Sequence, residues 1–155
     1  MTDVEFTRAV ERGEIANKDF RHAAHLHVAW TYLCESPTTD DAANKMRNTL
    51  RKFAVVAGAP EKYHETITLF WVYFLATMRV NARGSTLEQI VAANPRLLEK
   101  NFPLQYYSPE RLFGHRARNS WVPPDLKACY FDEIAICPSG ASSHSPNRPL
   151  SGRSA

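Results

Sequence analysis

Four of the six histidines in this 155-residue chain lie in two short segments, with His22, His25 and His27 in the first and His64 in the second. His22 and His25 are three residues apart and would share one face of a helix. His27 would be rotated by about 200° from His25 and would point elsewhere. Glu65 directly follows His64. Imidazole binds zinc, copper, iron and nickel, and an added carboxylate suits zinc or non-haem iron, so these residue types indicate a metal site.

The two segments can meet only if the helices that carry them pack side by side. Capping signals and apolar periodicity predict four main helices. They run from a Thr2–Glu5 capping box to Gly13, from an Asn17 or Asp19 cap to about Cys34, from about Asp40 to Ala57, and from Pro60 to about Val80. The fourth contains the run 69–76, which is apolar on every side and is typical of a helix buried inside a bundle.

Short turns join the second, third and fourth helices, so neighbours should be antiparallel and the second and fourth should run in the same direction. Their polar first turns would then lie at one end of the bundle. We predict a metal site there, with His22, His25, His64 and Glu65 as ligands of an iron, zinc or copper ion. Glu65 would be the fourth ligand or a base acting on a metal-bound water. Thr68 would support the ligands from one turn below.

Three hypotheses about function follow. The leading one is a small metal-dependent enzyme that oxidises or hydrolyses a small-molecule substrate. A metal-free enzyme would instead use His64 and Glu65 as a catalytic acid–base pair. In the alternative of a non-catalytic binding or regulatory protein, the same side chains form a buried hydrogen-bond network. In a basic patch near residue 115, Arg118 could bind a substrate carboxylate or phosphate, and Tyr106 and Tyr107 could line its pocket.

The elements become shorter in the second half of the chain. A Ser85–Glu88 capping box predicts one short helix, and Ser108 begins another. Of the last 18 residues, 11 are Ser, Gly or Pro, a composition that cannot bury enough apolar surface to offset ordering. We expect an all-α fold: a helical domain over 1–126, formed by a compact bundle of about four main helices with a partly irregular C-terminal segment, and an irregular or disordered tail over 127–155.

Composition excludes several classes of protein. The chain is 44% hydrophobic and 23% charged, unlike collagen, a coiled coil or a disordered protein. Its net charge of +3 includes Arg148 and Arg153 of the tail and does not indicate nucleic acid as a partner. The longest apolar run is far shorter than a membrane span of about 20 residues. Since the N-terminal sequence has no basic and apolar signal segment, we expect a cytoplasmic protein with reduced thiols and with Cys34 in the core.

Two motifs resemble those of a family of small, uncharacterised bacterial helical proteins. Residues 20–30 fit the pattern F-[RK]-H-x-x-H-L-x-x-A-W, and residues 63–68 fit Y-H-E-T-[LI]-T. Segments 104–108, 117–118 and 121–126 are also similar, so the resemblance covers roughly residues 15–126. It implies that His22, His25, His64 and Glu65 are site positions and that His27 occupies a variable one. It implies no particular reaction.

Overall fold

The computed structural model describes residues 1–128, and within them the chain forms α-helices and short 3-10 turns without any strand. The helices are α1 (Asp3–Glu11), α2 (His22–Glu35), α3 (Thr39–Val56), α4 (Glu65–Asn81), α5 (Leu87–Ala93), α6 (Pro109–Leu112) and α7 (His115–Asn119). The 3-10 turns are Asn17–Asp19, Pro60–Lys62, Pro95–Leu98 and Phe102–Gln105. The predicted all-α fold, a compact bundle of four main helices with a less regular second half, is confirmed. The predicted tail from residue 129 onward lies outside the described residues.

Helix α4 is the central element of the bundle. Buried side chains occupy all sides of it, including Leu69, Phe70, Val72 and Leu75. Because no face of the helix is polar, it must be surrounded by other elements. It packs against α2, α3 and α7. The apolar run recognised in the sequence is therefore the middle of the hydrophobic core, as predicted.

Of the three other main helices, α2 and α3 pack directly against α4. Helix α2 is also largely buried, with Leu26 and Val28 to Leu33 inside. Helix α3 is amphipathic and buries Ala42, Ala43 and Met46. Most of its charged residues are exposed, and Arg47 faces Glu65 at the start of α4. Helix α1 packs on α2 and α3 and begins at the predicted capping box between Thr2 and Glu5.

The less regular segment after α5 packs on α4 through aromatic side chains. Phe70 lies with its ring centroid 5.5 Å from that of Tyr106 and 6.2 Å from that of Tyr107. Phe102 contacts Trp71 at 5.6 Å and Phe74 at 5.2 Å. Aromatic pairs at these separations add to the energy of area burial, so short elements can be held in place without long helices.

Helix boundaries differ from the predictions at three places. The predicted fourth helix begins at Glu65 instead of Pro60, because residues 60–62 form a 3-10 turn and His64 is extended as the N-cap of α4. Similarly, residues 17–19 form a 3-10 turn, so neither Asn17 nor Asp19 caps α2, which begins at His22. The capping box of α5 is formed by Thr86 and Gln89, one residue later than predicted.

Two further observations concern the predicted burial of Cys34 and the length and apolar character of the helices. Cys34 is exposed, so its predicted place in the core is wrong; the buried face of α2 ends at Leu33. Among the helices of residues 1–128, none combines the length and the apolar character that a membrane span requires.

Candidate functional site

The imidazole of His64 links the start of α4 to Leu112 at the end of α6. Its Nδ1 accepts a hydrogen bond from the backbone N–H of Ile67 at 3.1 Å and so caps the helix. Since Nδ1 is an acceptor, the proton lies on Nε2, which donates to the carbonyl oxygen of Leu112 at 2.7 Å. Burial lowers the pKa of His64 despite the bond to Leu112. Both ring nitrogens are thus used, and the ring is held neutral.

The carboxylate of Glu65 is the centre of a buried ionic network. Arg47 of α3 donates from Nε to both carboxylate oxygens at 3.0 Å, and its Nη2 lies 2.9 Å from Oε2. The Tyr63 hydroxyl donates to Oε1 at 2.5 Å. Burial alone would raise the pKa of Glu65, but the bonds from Arg47 and Tyr63 outweigh it and hold this pKa below its ordinary value. Glu65 is therefore an ionised partner of α3.

His22 lies at the start of α2, and its ring also has a hydrogen-bond partner. Its Nε2 donates to the carbonyl oxygen of Leu97 at 2.8 Å, and its ring lies 4.7 Å from that of Trp71. Burial lowers the pKa of His22, although the bond to Leu97 opposes the shift. The contact fixes the 3-10 turn that contains Leu97 onto the end of the bundle.

His25 is half-buried and differs from these residues because its ring nitrogens make no hydrogen bond to another residue within 1–128. Its ring packs edge-on against Phe20, with centroids 4.3 Å apart. Burial lowers the pKa of His25 to about 4, and the neighbouring His22 adds to the shift. At neutral pH the imidazole is therefore uncharged, with one nitrogen able to donate and the other able to accept.

The ring of His25 forms part of the wall of a cavity of about 310 Å³ between α2, α3 and α4, which we call the His25 cavity. Much of its wall is apolar and comes from Phe20, Met46, Leu50, Phe53, Ile67 and Trp71. His64, Tyr63 and Thr68 also line it. The Thr68 hydroxyl donates to the carbonyl oxygen of His64 at 2.8 Å, so its hydrogen is not available to a ligand.

The structure thus brings His25 and His64 to one cavity but does not assemble the four predicted ligands around one point. Among residues 1–128, Asp3, His27 and Glu88 form the only group of three or more His, Cys, Asp or Glu residues whose possible ligand atoms all lie within 4.8 Å of one another. His22 and Glu65 are held by Leu97 and Arg47 as described above. The predicted shell of His22, His25, His64 and Glu65 is therefore distributed over separate contacts.

The predicted substrate-binding residues lie away from the His25 cavity. Arg118 donates to the carbonyl oxygens of Glu61 at 2.9 Å and Tyr63 at 3.3 Å, so it fixes the loop before α4. Tyr107 is fully buried and donates to the carbonyl oxygen of Val122 at 2.7 Å. The ring of Tyr106 packs in the aromatic core against Phe70. These contacts give all three residues roles in holding the C-terminal segment.

The grouping of Asp3, His27 and Glu88 was not recognised in the sequence. His27 Nδ1 lies 2.9 Å from Asp3 Oδ1 and 4.0 Å from Glu88 Oε1. The three side chains come from α1, α2 and α5, and no local spacing connects them. One indication of this grouping was available in the sequence: His27 lies about 200° from His25 around α2, so the two rings must meet different neighbours.

No protein-family model matches the chain, and no curated protein or solved structure was found to be similar to it.

Proposed function

We propose that this chain binds a compact, mostly apolar small molecule in the His25 cavity, with the neutral imidazole of His25 hydrogen-bonded to one polar group of that molecule. The observation that carries the proposal is the unpaired state of His25 within an otherwise largely apolar wall. The half-buried ring makes no hydrogen bond to another residue of 1–128, so a ligand can bond to it without breaking a bond of the fold, for a net gain of about 1 kcal/mol. Pockets for small ligands typically combine apolar walls with a few such polar groups.

Size and charge narrow the class of ligand. A volume of about 310 Å³ is near the lower end for ligand pockets, so the molecule has about one or two rings. Because the low pKa keeps His25 uncharged at pH 7, it favours a hydroxyl, amide or other neutral group over a carboxylate. Lys62 also lines the cavity, but it is exposed and water screens its charge.

The same geometry favours binding over metal-dependent catalysis at the four predicted ligands. To bind an ion, His64 would have to release either the cap of α4 or the carbonyl of Leu112. Glu65 would have to loosen its three contacts with Arg47. These losses would destabilise the end of the bundle that has to hold the site. The hydrogen-bonded His64 and Glu65 instead act as a scaffold for the cavity.

A matched pair of ligands tests the proposal. We expect 2-naphthol and naphthalene to bind in the His25 cavity, measured by amide chemical-shift changes on titration, with 2-naphthol preferred about fivefold because one hydrogen bond contributes about 1 kcal/mol. The shifts should centre on Phe20, Leu50 and Ile67. In His25→Leu the preference for the hydroxyl compound should disappear while naphthalene still binds.

Two controls make the result specific. His115→Leu replaces an exposed histidine that does not line the cavity and should leave the preference intact. Ala54→Leu should narrow the cavity from α3 and weaken both compounds equally. If neither compound perturbs the cavity residues of the wild-type chain, or if His25→Leu retains the fivefold preference, the proposal is wrong.

A further inference from the structure

We infer that Asp3, His27 and Glu88 form a binding site for a divalent transition-metal ion that joins α1, α2 and α5. The site is separate from the His25 cavity, because His25 and His27 lie on nearly opposite sides of α2. One oxygen from each carboxylate and Nδ1 of the imidazole lie within 4.8 Å of one another. Nitrogen and carboxylate ligands together are typical of zinc and its neighbours in the first transition series.

The state of His27 Nδ1 is the observation that points to an ion instead of a simple ion pair. This atom is buried and has no hydrogen-bond partner, although Asp3 Oδ1 is only 2.9 Å away. The carboxylate therefore lies beside the nitrogen without the alignment that an N–H···O bond requires. A lone pair on Nδ1 directed at an ion that Asp3 also binds accounts for both the short distance and the missing bond.

The two distances from His27 fit six-coordinate geometry. With ligand bonds of about 2.1 Å, neighbouring ligands of an octahedral ion are about 3.0 Å apart and opposite ligands about 4.2 Å apart. The nitrogen lies 2.9 Å from the oxygen of Asp3 and 4.0 Å from that of Glu88, close to these two values. Two carboxylates with a neutral ligating imidazole carry a net charge of −2, which a divalent ion neutralises.

The surroundings allow water to complete the shell. Asp3 and His27 border an open cavity of about 670 Å³, which gives solvent access to the remaining coordination positions. The side chains of His27, Asp3 and Glu88 are 35%, 41% and 65% exposed. The site is thus a partly hydrated one at the surface. Its structural effect would be to hold the starts of α1 and α5 against α2.

The test is a Zn²⁺ titration of the full chain by calorimetry, compared with Asp3→Asn, His27→Gln and Glu88→Gln. Each variant should weaken Zn²⁺ binding about tenfold or more, since even residues outside the coordination shell change affinity by about that factor. Asp19→Asn, a carboxylate that lines the same open cavity, and His115→Gln should each bind within about twofold of wild type. Circular dichroism should show unchanged helicity in all five variants.

The location of the ion is measured independently of affinity. Co²⁺ should shift or broaden the NMR resonances of residues near the starts of α1 and α5 and around His27. Absence of Zn²⁺ binding up to millimolar concentration, equal affinity in the three ligand variants and wild type, or Co²⁺ effects confined to Cys34 and the residues beyond 128 would each overturn the inference.

Discussion

The start of α4 and the first turn of α2 each place a histidine in the wall of the same cavity, but the two rings are held in opposite ways. His64 donates to Leu112 and accepts from Ile67, so both of its nitrogens belong to the fold. His25 is packed against Phe20 and forms no comparable bond within residues 1–128. The two bonds of His64 stabilise the structure, whereas the half-buried ring of His25 keeps a donor and an acceptor that a ligand can use.

The same contrast separates the two carboxylate sites. Glu65 is buried and is paired with Arg47 and Tyr63. Asp3 and Glu88 are more exposed and lie near a nitrogen that lacks a hydrogen bond. The comparison shows that His64 and Glu65, which form the more recognisable sequence motif, hold elements together by hydrogen bonds. The two proposed ligand sites instead use His25 and His27, whose rings have unused bonding capacity.

Removal of Arg47 should have the largest effect on stability. Arg47→Met would leave the Glu65 carboxylate buried without its main partner, which typically costs about 3 kcal/mol. Urea denaturation at pH 7 measures the loss. Arg51→Met is the matched control, because Arg51 Nη2 is 3.8 Å from Glu65 and the side chain is 53% exposed, so we expect less than about 1 kcal/mol. Equal losses would show that the pairing with Arg47 has no special weight.

Substitutions of His64 should come next. His64→Ala removes the cap of α4 and the bond to Leu112, with an expected loss of about 2 kcal/mol in the free energy of unfolding. His64→Asn keeps a capping acceptor but does not reach Leu112 and should recover about half of that loss. A neutral His64→Ala variant in the same urea experiment would contradict the assignment of His64 to the scaffold.

Periodicity was sufficient to predict the four main helices and the buried character of α4. It could not locate the start of α4, because residues 60–66 have no apolar periodicity and the boundary is set by the imidazole of His64. Histidine is not among the usual N-caps, and Pro60 is typical of a helix start, so sequence rules favour the wrong residue. The cap is recognisable only when the acceptor geometry at Ile67 is known.

The candidate site was only partly predictable for a related reason. His25 and His64 reach one cavity because the helices pack as their loop lengths indicated. The bonds that decide each role come from distant parts of the chain: Leu112 lies 48 residues from His64, and Arg47 lies 18 from Glu65. No local pattern encodes such partners. The meeting of α1, α2 and α5 at His27 depends on tertiary packing in the same way.

A smaller loss of stability is expected from the exposed capping box of α5, because water can replace part of its hydrogen bonding. Thr86 accepts from the backbone N–H of Gln89 at 3.2 Å, and the Gln89 side chain accepts from Thr86 N–H at 2.9 Å. Thr86→Ala should lower stability by about 1 kcal/mol, measured by thermal unfolding. Ser85→Ala tests the predicted alternative cap and should change little. A larger loss with Ser85→Ala would place the capping box where the sequence rules put it.

The smallest change at neutral pH is expected for His25, and its dependence on pH distinguishes it from His64. His25→Leu removes an unpaired polar group and keeps apolar contact with Phe20, so stability at pH 7 should change by less than about 1 kcal/mol. The pKa of His25 is about 4 in the folded chain and about 6.5 when unfolded, so the unfolded state binds the proton first. The contribution of His25 to the stability of the wild-type chain therefore falls as the pH decreases from about 7 to 4.

Leucine binds no proton at this position. In paired urea denaturations the stability of His25→Leu relative to wild type should therefore increase as the pH is lowered through this range. His22→Leu is the contrasting control, because the Leu97 carbonyl loses its donor and stability should already fall at pH 7. If His25→Leu is as costly as His22→Leu at pH 7, then His25 has a structural partner, and the distinction between scaffold and ligand-binding histidines fails at the residue on which it depends most.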